Sequence, residues 1–237
     1  MRDRWRVAVL DSGLADPMRP PDLCALPIAS CRFVDNGREV VTAPAVSDPF
    51  GHGTHVCEII CSASRTVELL VGQVLDSRGV ATAAAVAAAI SWSVRACADL
   101  IHMSLGLRED RDVLAAAVAS AVSAGSVVVA SAPARGNGTF PACYPQVIRA
   151  TGDARCQPDE ISALNSPHAD FGGCPRHVRR MGSADARSAC FGGASLGAAH
   201  LTRFLVDRVE PGSDVTAIRA QLCAMARYHG IETKSVG

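Results

Sequence analysis

Three side chains in this sequence could together run an acyl-transfer reaction: Asp11, His52 and Ser195. A serine hydroxyl is a weak nucleophile until a base within hydrogen-bond reach takes its proton. Histidine does that near neutral pH. A buried carboxylate can fix the imidazole tautomer and stabilise the imidazolium that forms. Asp11 closes an apolar run in VAVLDSG at 7–13, His52 lies in GHGTH at 51–55, and Ser195 lies in GGASLGAAH at 192–200. Glycines beside each let the backbone turn tightly and let a substrate approach. A serine at a helix start also meets backbone N–H groups and the positive end of the helix dipole, both aimed at a developing oxyanion.

These groups need elements that deliver them to one place. Residues 7–10, 67–75, 100–105, 127–130 and 147–151 read as short buried strands. Residues 52–62, 82–98, 113–124 and 195–207 read as helices, the third closed by Gly125. Ser213 and Asp214 cap a last amphipathic helix that runs to about Tyr228. Residues 14–50 read as loops with one strand near 32–34, and 153–190 as irregular. Alternating strands and helices imply right-handed crossovers, and so an α/β fold with a mostly parallel central sheet and helices on both faces. Sites in such sheets form at the carboxyl ends of strands, where loops enter helices. Asp11, His52 and Ser195 all fall at such places. No repeat or linker divides residues 1–237, which read as one domain.

The motifs resemble those of the subtilisin-like serine peptidases. VAVLDSG at 7–13 resembles the family's aspartate motif and GHGTHV at 51–56 its histidine motif. GASLGAAH at 193–200 is similar to its serine motif, usually GTSMAxPH. The order Asp, His, Ser is the subtilisin order. DLIHMSLG at 99–106 resembles the family's substrate-binding strand, which usually ends NMSLGG. GSVVVASA at 125–132 and FPACYPQVIRATG at 140–152 resemble the segment around the oxyanion asparagine. The resemblance implies a three-layer subtilisin-like fold and a serine endopeptidase with Asp11, His52 and Ser195 as catalytic residues. It implies substrate binding along Ser104, Leu105 and Gly106. The sequence shows no Asp-rich loop that suggests a calcium site, so no metal or cofactor is expected. The oxyanion donor depends on register. Alignment without gaps puts Ala134 there; an insertion of Pro133-Ala134-Arg135 puts Asn137 there, which suits the spacing to FPACYPQVI better. Ala194 and Ala199 replace the usual threonine and proline of the serine motif, and neither of those side chains performs the chemistry.

Composition bounds the rest. Lys plus Arg and Asp plus Glu are 23 each, with no basic run, which argues against nucleic-acid binding. No apolar stretch has the length of a signal-peptide core or a membrane span, so no membrane association and a cytoplasmic location are expected. The chain starts at the first strand motif, so neither signal peptide nor prodomain is expected. The ten cysteines show no zinc-ligand spacing. They read as reduced, mostly core thiols, Cys57 and Cys61 included. His55, His200 and Phe171 read as structural. A cytosolic peptidase of this kind suits narrow processing: removal of a leader peptide from a precursor, with other maturation proteins as further partners. In size and in the GDARC segment at 152–156 the chain resembles the family branch that matures the crosslinked small subunit of quinohaemoprotein amine dehydrogenase. The alternative is a pseudopeptidase that binds an extended peptide and presents it to a partner.

Overall fold

A computed structural model describes residues 4–16, 25–176 and 192–232. The part of the segment 153–190 beyond residue 176 lies outside the described residues. Ten strands form one sheet in the order β10-β8-β9-β7-β6-β5-β1-β4-β2-β3. Its middle consists of β1 (Arg6–Asp11), β4 (Val67–Gln73), β5 (Leu100–Met103), β6 (Val127–Ser131) and β7 (Ile148–Gly152), with all neighbours parallel. Strands covered on both faces can be apolar throughout, and β1 carries Val7, Ala8, Val9 and Leu10 all fully buried.

The alternation within these strands divides two layers. Val7, Val9, Leu69, Val71, Val127 and Val129 face a core shared with helices α1 (His52–Cys61), α4 (Ala194–Arg208) and α5 (Val215–Met225). Ala8, Leu10, Leu70, Ile101, Val128 and Ala130 face the opposite core, closed by α2 (Ala83–Arg95) and α3 (Asp112–Ser123). The expected fold, a mostly parallel sheet between helical layers, is the one observed. Thr82 caps α2, its Oγ1 accepting from the Ala85 N–H at 3.1 Å. Asp214 caps α5 through the Thr216 and Ala217 N–H groups. Among the described residues, no helix is long and apolar enough to cross a membrane.

Three expectations need correction. Residues 14–50 hold a long antiparallel pair, β2 (Ala25–Asp35) with β3 (Val40–Pro44), where one short strand was expected. β2 also runs parallel to β4 and so extends the sheet. The segment expected to be irregular contains β8 (Ile161–Ala163) and β9 (Phe171–Gly173). The last helix stops at Met225 rather than near Tyr228, because the chain turns extended at Ala226 and β10 (Tyr228–His229) joins β8.

Among the eight described cysteines, Cys57, Cys61, Cys156 and Cys174 are buried, Cys31 and Cys223 are half-buried, and Cys97 and Cys143 are exposed. Burial pushes the Cys57 thiol well above its ordinary range, with Cys61 next to it adding to the effect, so Cys57 behaves as a core residue rather than a reactive one.

Candidate active site

The site starts at the end of β1. Asp11 is the last residue of that strand and is 1% exposed. Its Oδ1 accepts from the Ser12 N–H at 2.6 Å. His52, the first residue of α1, brings Nδ1 to 2.8 Å from Asp11 Oδ1 and 3.0 Å from Oδ2. With Asp11 ionised, Nδ1 carries the proton and donates it.

The loop and helix are locked together just behind this pair. Ser12 Oγ accepts from the Gly53 N–H at 2.8 Å. A Cβ at Gly53 would lie 2.5 Å from the Gly13 carbonyl oxygen, so only glycine permits this approach. Gln73 donates from Nε2 to the Ser12 carbonyl at 2.8 Å and is 2% exposed. Asp48 steadies the start of α1, its Oδ2 accepting from the Thr54 N–H at 3.0 Å and from Thr54 Oγ1 at 2.9 Å.

Burial works against the charged form of His52, but the hydrogen bond from Nδ1 to Asp11, the charge of Asp11 and the charge of Asp48 outweigh it. The pKa is raised above the ordinary histidine value.

Ser195 is the second residue of α4, after Gly193 and Ala194. Its Oγ donates to the Ser104 carbonyl at 3.2 Å. Strand register brings this pair to the first one. Leu10 is level with Met103 in the parallel β1–β5 pair. The next residues along the two chains are Asp11, which ends β1, and Ser104, which directly follows β5. Asp11 holds His52 and Ser104 holds Ser195, and α1 packs against α4 on the same face of the sheet.

The expected substrate edge emerges at the same place. β5 ends at Met103 rather than Leu105, because its pairing with both β1 and β6 ends there. Ser104 is buried, Leu105 half-buried and Gly106 exposed. Leu107 and Phe140 then exchange both backbone hydrogen bonds, at 2.7 and 2.8 Å. That bridge sets the edge beside the 136–143 loop. Asn137 is exposed and lines a cavity of about 310 Å³ with Ala132, Gly138, Thr139 and Arg149, among others. Ala134 is exposed just ahead of this loop.

A family model for the subtilases matches residues 3–177. This chain belongs to the subtilase family. The matched residues include Asp11 and His52 and stop short of Ser195. A thermostable alkaline protease of Halalkalibacterium halodurans is 32% identical over 154 residues, 60% of this chain and 40% of its own length. Thermitase of Thermoactinomyces vulgaris is 32% identical over 155 residues, 60% of this chain and 53% of its own. The major intracellular serine protease of Bacillus subtilis is 33% identical over 162 residues, 60% of this chain and 49% of its own. The chain thus spans between 40% and 53% of the length of these subtilases.

Four residues at this subtilase site were not singled out from the sequence: Ser12, Asp48, Gln73 and His102, whose Nε2 lies 2.6 Å from Ser104 Oγ. His102 could have been noticed as a histidine inside the apolar strand LIHM. Asp48 gave a weaker signal, as an acidic residue just ahead of a helix start.

Proposed function

We propose that this subtilase is a serine endopeptidase in which Asp11, His52 and Ser195 form the charge-orienting acid, general base and nucleophile. One observation carries the reading: Asp11, hydrogen-bonded to His52, and Ser104, whose carbonyl accepts from Ser195 Oγ, are the residues that follow the Leu10–Met103 register pair of β1 and β5. Asp11 engages Nδ1, so Nε2 is the nitrogen that exchanges protons with Ser195. Ser195 Oγ attacks the scissile carbonyl carbon as its proton passes to His52 Nε2. The C–N bond breaks, the proton moves to the leaving amine, and an acyl-serine ester remains. Water, deprotonated by the same imidazole, then attacks the ester and frees Ser195. The first-turn N–H groups of α4 and the Asn137 side chain are the oxyanion donors of this mechanism. The 104–106 edge takes an extended substrate by main-chain hydrogen bonds.

For the substrate we infer a cytoplasmic precursor with a leader peptide, such as the crosslinked small subunit of quinohaemoprotein amine dehydrogenase. The intracellular serine protease among the relatives supports the compartment by its name, and an edge open to an extended segment suits a leader. The GDARC segment gives this inference little help. Its Arg155 is ion-paired with Asp153 and its Cys156 is buried, so both serve the fold.

Two assays test the two levels separately. A fluorophosphonate probe should label the folded chain, and Ser195→Ala should abolish the labelling; absence of Ser195-dependent labelling would favour a peptide-presenting pseudopeptidase. Incubation with the crosslinked precursor should release the leader. An intact leader beside working probe labelling would sink the substrate inference alone.

A further inference from the structure

His102 is a polar residue in an otherwise apolar strand. Leu100, Ile101 and Met103 around it are fully buried, and His102 itself is 0% exposed. Both ring nitrogens are engaged. Nδ1 lies 2.9 Å from Thr202 Oγ1 on α4, and Nε2 lies 2.6 Å from Ser104 Oγ. A neutral imidazole offers one donor and one acceptor, so one hydroxyl receives a hydrogen bond and the other gives one. Burial, with the charge of nearby His52 acting in the same direction, pushes its pKa down to about 3, which keeps the ring neutral.

The ring therefore joins two parts of the site. Ser104 supplies the carbonyl that accepts from Ser195 Oγ. Thr202 lies about two helical turns beyond Ser195, on the same face of α4. An apolar side chain could fill this place in the core without desolvating polar atoms. Apolar packing, however, is non-directional, whereas two hydrogen bonds to hydroxyls on different elements fix a distance and an angle. We propose that His102 is a positioning residue for the peptidase chemistry, clamping Ser104 to α4 so that the Ser104 carbonyl, the 104–106 edge and Ser195 keep one register. This rests on the reading of Ser195 as the nucleophile.

The test uses the whole chain and the variants His102→Ala, His102→Asn and Thr202→Val. Three quantities are measured well below each melting midpoint: the second-order rate of Ser195 labelling by a fluorophosphonate, and kcat and KM for peptide cleavage. His102→Ala should lower the labelling rate and kcat by about tenfold to a hundredfold, the scale expected when a reacting group is displaced by about an ångström. His102→Asn keeps one donor and one acceptor and should recover most of that loss. Thr202→Val, which removes only the contact on α4, should give an intermediate loss. A folded His102→Ala chain with wild-type labelling and kcat, and only a lower melting temperature, would overturn the proposal. If His102→Ala does not fold, wild-type rates in Thr202→Val overturn it equally. Wild-type chain that shows no Ser195-dependent labelling would instead defeat the nucleophile reading, a distinct result.

Discussion

At the residue scale, His52 is set by opposing forces, and the balance has a sign that can be measured. Burial disfavours imidazolium, while Asp11 and, more weakly, Asp48 favour it, and the net pKa is raised. A general base must be neutral to act, so activity appears as pH rises through that pKa. The acid limb of kcat/KM should therefore lie above the ordinary histidine value of about 6.5. The linked stability runs the other way. The contribution from His52 is fully present below its unfolded pKa and is lost as pH rises through the folded one. Asp48→Asn removes a negative charge but keeps a carbonyl acceptor for the start of α1. It should move the limb to lower pH by about half a unit or less. A limb that stays in place would show that Asp48 acts only on the helix. A second residue prediction concerns the oxyanion. Asn137→Ala should cut kcat by roughly a hundredfold to a thousandfold with little change in KM. An unchanged kcat would show that backbone donors of α4 suffice.

At the scale of elements, the site depends on how closely α4 approaches β7. A Cβ at Gly197 would overlap the Thr151 carbonyl and lie 2.6 Å from Gly152 Cα, both rigid backbone. Gly197→Ala must push the helix off the sheet, at a cost of about 1–3 kcal/mol. Ser195 lies two residues earlier and moves with the helix, away from the Ser104 carbonyl. The melting temperature and the rate of Ser195 labelling should fall together; a lower melting temperature with a wild-type labelling rate would mean the start of α4 had not moved. The same scale explains what could be read from sequence. Val7–Leu10 of β1, Leu69–Val71 of β4 and Val127–Ala130 of β6 are continuous apolar runs because helices cover both faces of the sheet, and such runs are visible without a structure. The β2–β3 pair was missed although Asn36-Gly37 stands between its strands, a dipeptide that favours hairpins. β3 lies at the sheet edge, and its half-exposed sequence lacks a strong apolar signal. β8, β9 and β10 have two or three residues each, too few for any periodicity. Asp11, His52 and Ser195 could be picked out because glycine-flanked motifs mark one strand end and two helix starts. His102 was not, because its role comes from two hydroxyls that the sequence places far away or on the opposite side of a strand end.

At the scale of the molecule, α4 is held at both ends, and the two ends do different work. Its start packs Gly197 against β7 and holds Ser195 at the Ser104 carbonyl. Near its end, Asp207 Oδ1 accepts from the Ser64 N–H at 2.7 Å and from Ser64 Oγ at 2.8 Å, tying it to the segment after α1. Just past the helix, the Val209 carbonyl accepts from Trp5 Nε1 at 2.9 Å. Trp5 is 1% exposed and immediately precedes β1, so this bond fastens the start of the central strand to the end of the serine helix. Asp11 lies at the opposite end of β1, which separates the fastening from the chemistry by the length of a strand. Trp5→Phe deletes the donor, keeps most of the apolar ring and leaves the Val209 carbonyl without this partner. That carbonyl also accepts a longer bond from Arg65 Nη1 at 3.4 Å, so the loss should be about 1 kcal/mol, the net worth of one hydrogen bond. For a chain of this size that corresponds to a melting temperature lower by roughly 2–4 °C. Because the broken bond is remote from Ser195, the labelling rate and its pH limb should match wild type at temperatures where the variant is folded. A Trp5→Phe chain of unchanged stability would show that packing alone holds the end of α4. A folded variant with a slowed labelling rate would show that strain at this end travels along α4 to Ser195.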